Sequence, residues 1–171
     1  MPKIAAAVLA FVCLMLFSVP MSAQLLPRGN VYVGYSYGQL TDVINRQSYT
    51  KGWEGSGEDL PFARFPHLGF VLDANGYYRS GVTMYSGFIG PRLSVTYGKW
   101  RPFVHAMGGM RHITANGFVY NPYAIDFGGG ADYKLWFKSF AWRLQADLVH
   151  GHYASASQND FRASTGLVWR F

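Results

Sequence analysis

Apolar and polar side chains alternate with a period of two along most of the chain, and the clearest instance is its last eleven residues. There Phe161, Ala163, Thr165, Leu167, Trp169 and Phe171 fall on one side of an extended strand, with Arg162, Ser164, Gly166, Val168 and Arg170 on the other. Residues 140–151 repeat the pattern, setting Phe140, Trp142, Leu144, Ala146 and Leu148 against Arg143, Gln145, Asp147 and Val149. Weaker copies predict further strands over 30–38, 51–60, 67–78, 84–97, 102–112 and 123–135, eight in all. Longer polar connections are expected at 39–50, 113–122 and 152–160, with a short one at 79–83. Turns are expected at 61–66, 98–101 and 136–139. Pro61 and Pro66 lack the N–H that a ladder requires, and Pro91, inside a strand, predicts a bulge or kink. Gly128, Gly129 and Gly130 sit within a strand and mark close packing or a bend.

The alternation fixes two faces, and the chemistry of those faces decides the solvent. Eleven strand residues reach about 34 Å, which at the tilt of a membrane barrel crosses roughly 25 Å of hydrocarbon. Eight antiparallel strands can close on themselves, and lipid requires closure because an open edge leaves backbone groups unpaired where no water reaches. With the apolar faces outward, the interior receives Glu54, Glu58, Asp73, Asp126, Asp132 and Asp147 against Arg92, Arg111, Lys134, Arg143, Arg162 and Arg170. The signs balance. Eight strands enclose little more than the volume of their own side chains, so matched charges should pair and block the lumen rather than line a wide channel. Trp100, Trp136, Trp142 and Trp169 gather at one end, Tyr37, Tyr78 and Tyr123 at the other, as expected of two head-group belts.

Composition agrees with this reading. The chain is 18% aromatic but only 14% charged, with 20 glycines, where a soluble domain carries about a quarter charged residues. Residues 1–23 read as a secretory leader: Lys3, an apolar run from Ile4 to Val19, then Met21, Ser22 and Ala23 ahead of Gln24, with cleavage expected between Ala23 and Gln24. The only cysteine, Cys13, lies in that leader, so a disulfide or cysteine metal site is not expected in residues 24–171. Of 15 Lys and Arg only Lys3 is in the leader, leaving 14 against 9 acidic residues, a net charge of +5. The basic residues are scattered without a run, which argues against nucleic acid as a partner.

The last seven residues, Thr165-Gly166-Leu167-Val168-Trp169-Arg170-Phe171, resemble the polar-Gly-x-x-apolar-x-aromatic signal with which bacterial outer-membrane barrels present themselves to their assembly machinery. With the leader, eight alternating strands and polar lumen, the 148 residues from Gln24 onward resemble the OmpA/OmpX-type family of eight-stranded up-and-down barrels. The resemblance implies an all-β transmembrane barrel in the outer membrane of a Gram-negative cell. It implies both termini in the periplasm, contact with outer-membrane lipid and lipopolysaccharide, recognition of Thr165, Gly166, Trp169 and Phe171 by the barrel-assembly machinery, and no cofactor. The chain ends at Phe171, so the wall-binding domain of that family's longer members is not expected. A monomer with a structural or adhesion-like role, meeting an unidentified external partner through its outer connections, is the expected function.

The alternative is a lipid-modifying enzyme near the outer rim. Its candidates are His112, His150 and His152 with Ser155, Ser157 and Asp160, whose spacing allows a Ser-His-acid arrangement without matching a motif. His150 and His152 offer two metal ligands, but the sequence supplies no evident third.

Overall fold

The computed structural model describes residues 28–41, 47–60, 67–79, 81–115, 117–153 and 156–171. The expected leader and cleavage site, the expected turn at 61–66 and Ser155 lie outside the described residues. The strands are β1 Arg28–Thr41, β2 Gln47–Leu60, β3 Leu68–Arg79, β4 Val82–Ser94, β5 Trp100–Ala115, β6 Phe118–Tyr120, β7 Tyr123–Lys134, β8 Phe140–Tyr153 and β9 Ala156–Arg170. Neighbours run β4-β3-β2-β1-β9-β8-β7-β5, every pair antiparallel, and β4 with β5 closes the ring. The short β6 is the continuation of β7. It pairs with the end of β5 in the same register (Ile113 opposite Tyr120, as Met110 is opposite Tyr123), and Arg111 N–H donates to the carbonyl of Pro122 at 3.0 Å between them. The barrel therefore has eight staves.

Closure fixes the stagger. Passing from Gly29 through Asp59, Phe70, Pro91, Ala106, Phe127, Leu148 and Phe161, the positions that the registers set opposite one another return to β1 at Gln39, ten residues along. Eight strands staggered by eight tilt at about 36°. A stagger of ten tilts them further, to about 43°, and widens the interior slightly.

The facing predicted from alternation holds along every stave. Val33 and Leu72 are 66% and 64% exposed, whereas Arg143 and Asp126 are wholly buried. An oily surface surrounding an ionised interior inverts the order of a water-soluble domain. Buried apolar residues share the interior with the polar ones: Val71, Phe88, Met107, Ala124 and Val149 form one group, and Tyr77, Met84 and Ile113 another.

Several expectations from sequence are corrected. The segment 113–122 is not a loop, since β5 runs to Ala115 and turns back through Gly117, whose φ of 85° supplies the left-handed conformation of a tight hairpin. Residues 152–160 are likewise paired, with Tyr153 opposite Ala156. The expected difference in connection length between the two ends therefore disappears. Polar residues there continue the wall beyond the apolar belt, and alternation weakens once neither face meets lipid. Pro91 introduces no bulge: the β4–β5 register is the same at Ile89 opposite Gly108 and at Arg92 opposite His105. Pro91 faces outward and only the pairing opposite it is interrupted. At the other end, Tyr97 and Trp100 exchange backbone hydrogen bonds of 2.8 and 3.0 Å around Gly98 (φ 59°) and Lys99, the turn expected there.

Candidate functional site

The chemistry of the described residues is concentrated inside the barrel, in three clusters along its length. The first lies toward the end that carries both termini. Arg143, from the start of β8, donates from Nε and Nη2 to the two oxygens of Asp132 at 2.7 and 3.1 Å, a bidentate pair, and from Nη2 to Asn30 Oδ1 at 3.3 Å. Arg170 reaches the same Asp132 at 3.1 Å. Glu58 accepts from Asn30 at 2.5 Å and Arg101 at 3.0 Å, with Arg92 at 3.5 Å. The guanidinium groups of Arg92 and Arg143 both lie over the Phe103 ring, 4.3 and 4.7 Å from its centroid.

The second cluster is built on Arg162. Its guanidinium faces four carboxylates: Asp126 at 2.7 Å, Asp147 at 2.8 Å, Asp73 at 3.2 Å and Glu54 at 3.6 Å. Gln145 donates to Glu54 and to Asp147, each at 3.0 Å, and Asn75 to Asp73 at 2.9 Å. His105 lies beside it, with Nε2 3.1 Å from Asp147 Oδ1. The third cluster, toward the far end, pairs Arg111 with Asp160, near a 2.6 Å hydrogen bond between Ser36 and Tyr77.

Eleven of the twelve residues assigned to the lumen thus reach its ion pairs, and Lys134 does not. It is exposed at the last position of β7, where the barrel opens and a long side chain can swing into solvent. Sequence reasoning missed Arg101 and Asp160, which it placed in a turn and a loop. Their positions share the inward parity of Phe103 and Arg162, so a strand extended by one or two residues would have included them.

The rim candidates do not assemble. His112 meets Asn121 at 2.7 Å, His150 meets Asn159 at 2.6 Å and His152 meets Ser157 Oγ at 3.4 Å, all exposed. Asp160, the expected acid, points to the opposite face and is held by Arg111. Among the described residues no Ser-His-acid chain connects these groups. The two aromatic belts are in place: Trp100 against Tyr133 (centroids 4.8 Å apart) and Trp169 against Phe171 (5.4 Å) at the end with the termini, Tyr78 against Tyr85 (5.8 Å) at the other. In the closing segment, Thr165 Oγ1 donates to the Arg143 carbonyl at 3.1 Å. Gly166 lies so close to the backbone of Val33 and Gly34 that a β-carbon there would collide with it.

No protein-family model matches the sequence, and no curated protein matches it. Solved structures do. Neisserial surface protein A (NspA) superposes with a TM-score of 0.69 at 11% identity, covering 84% of this chain and 97% of that one. The N-terminal β-barrel domain of Pseudomonas aeruginosa OprF gives 0.62 at 13% identity, over 83% and 97%. The attachment invasion locus protein Ail of Yersinia pestis gives 0.56 at 10% identity, over 86% and 100%. Likeness at such low identity speaks to the fold, and it agrees with the closed ring, the oily exterior and the ionised interior. This chain has the fold of the eight-stranded outer-membrane β-barrels.

Proposed function

We propose that the chain is a monomeric outer-membrane protein, exported by a cleaved leader, whose barrel is plugged by its own ion pairs and serves as a rigid support for surface interactions. The observation that carries this reading is the continuous apolar belt around a buried charged interior, an arrangement stable in a bilayer and not in water. Outer-membrane lipid and lipopolysaccharide are its surroundings, and Thr165 to Phe171 is read by the barrel-assembly machinery. An even number of staves puts both ends of the barrel wall on one side, which in this reading is the periplasmic one. The far end then faces outward.

The wall supports an external role for that end. The sixteen residues of β5 span about 40 Å along the axis at the estimated tilt, against roughly 25 Å of hydrocarbon. The surplus projects as paired hairpins, and the β5–β6 hairpin exposes Phe118 and Val119. Rigid hairpins present a fixed surface at low ordering cost. One structural neighbour, Ail, is named as an attachment invasion locus protein and is solved with the heparin analogue sucrose octasulfate. A sulfated polysaccharide is accordingly the first external ligand to try.

The test begins with fractionation. The cleaved protein should partition with the outer membrane and migrate faster on gels unheated than boiled. Protease applied to intact cells should cut the far hairpins and spare the termini, and binding of cells to immobilised heparin should fall when Lys51 and Arg79, exposed basic residues toward that end, are both replaced by glutamine. Recovery of the protein in the aqueous periplasmic fraction would overturn the reading.

A further inference from the structure

The Arg162 cluster has four carboxylates and one guanidinium, a shortage of positive charge among buried groups. The way those carboxylates are used is informative. Asp126 and Asp147 each give Oδ2 to Arg162, at 2.7 and 2.8 Å, and each leaves Oδ1 without a hydrogen-bond partner. Both free oxygens face the imidazole of His105, whose side chain is fully buried and whose ring nitrogens also lack hydrogen bonds. His105 Nε2 stands 3.1 Å from Asp147 Oδ1 and 3.9 Å from Asp126 Oδ1, and one donor atom from each of the three residues lies within 4.8 Å of the other two.

The wall makes room for this convergence. His105 is opposite Gly128 on β7, and Gly128 is opposite Asp147 on β8, so the three form one row across three staves. A β-carbon on Gly128 would run into the Asp147 carboxylate. Its absence opens the gap through which histidine and aspartate meet, with Asp126 two residues along β7.

We propose that His105, Asp126 and Asp147 bind one divalent transition-metal ion, of the zinc type, inside the barrel. One imidazole and two carboxylates are a normal donor set for such an ion, with ligand bonds of about 2.0–2.2 Å that place donors roughly 3–3.5 Å apart. Small side-chain rotations bring the three atoms to that spacing. The ion supplies the positive charge that Arg162 alone does not, and Arg162, bonded to the second oxygen of both aspartates, orients the ligands from behind. The buried position implies capture while the barrel closes. The site is independent of what the outer hairpins contact.

The test refolds the mature chain into detergent micelles with zinc chloride, desalts it against a weak chelator and measures metal per chain by mass spectrometry. Cobalt(II) refolding runs in parallel and reports geometry by its visible bands. The expected result is one zinc per folded chain, with His105→Gln or the Asp126→Asn/Asp147→Asn double variant weakening retention at least about tenfold. Replacing His112, His150 and His152 together with glutamine should change nothing. Folding of each variant is checked by unheated gel mobility. Should His105→Gln fail to fold, the wild-type cobalt spectrum decides: intense bands of a four- or five-coordinate ion support the site, and the weak spectrum of hydrated cobalt overturns it. Wild-type protein that retains no zinc, or zinc that is lost only with the rim histidines, overturns it equally.

Discussion

Replacing Arg143 by methionine should be among the most destabilising single changes in this barrel, and the double variant with Asp132→Asn should be milder than the sum of its parts. Arg143 is buried, its bidentate bond to Asp132 has contacts of 2.7 and 3.1 Å, and Asn30 takes a further hydrogen bond. Methionine fills most of the same volume between Tyr32 and Phe103 but leaves the Asp132 carboxylate with Arg170 alone, a partner that is itself partly exposed. Breaking a buried pair by removing one member costs about 3–5 kcal/mol, most of it from the stranded charge. Asp132→Asn strands the arginine instead and should cost a similar amount. In the double variant neither Arg143 nor Asp132 leaves a stranded charge, and the partly exposed Arg170 can turn to solvent, so the pair should recover about 2 kcal/mol or more of the summed loss. Urea unfolding in lipid vesicles, followed by tryptophan fluorescence and gel mobility, gives each free energy by linear extrapolation. A cost below about 1 kcal/mol for Arg143→Met, or a coupling indistinguishable from zero, would mean that water solvates the pair as it does at a surface. The idea of a plugged interior would then fail.

Other changes probe the wall and its assembly. Ala146→Arg places a charge on the lipid face near mid-wall and should cost about 2–4 kcal/mol, whereas Phe140→Arg at the belt should cost about 0–1 kcal/mol for its charge, read by the same unfolding titration. Gly130→Ala should destabilise by about 1–3 kcal/mol because its β-carbon meets the Leu144 carbonyl and the Gln145 backbone. Gly87→Ala, where nothing lies within 4 Å, should be neutral or slightly stabilising; equal effects at the two sites would refute the packing reading. Phe171→Ala should lower the amount of barrel inserted in cells several-fold while leaving refolding of purified protein into micelles unchanged. A parallel loss in both assays would instead give Phe171 a structural role.

The sequence by itself settled which side chains face which way. Period-two alternation is a local property: once Leu144 is outward, Arg143 and Gln145 are inward, and no distant residue can alter that. The same locality made the fold class and the two aromatic belts readable. It failed where the wall leaves the lipid, at 113–122 and 152–160, because outward residues such as Asn121, Ser157 and Asn159 meet water and are polar, so the alternating signal is lost although the backbones still pair and inward residues such as Asp160 stay buried. It failed for Lys134 because parity does not tell where the lumen ends. Partnership was beyond its reach altogether. Arg162 meets Asp73 across 89 residues of chain and Asp126 across 36, and which acids it meets depends on the ten-residue stagger of the closed ring. The nearness of His105 to Asp147 depends likewise on Gly128 falling between them in one row, a coincidence of three registers that only the assembled barrel decides.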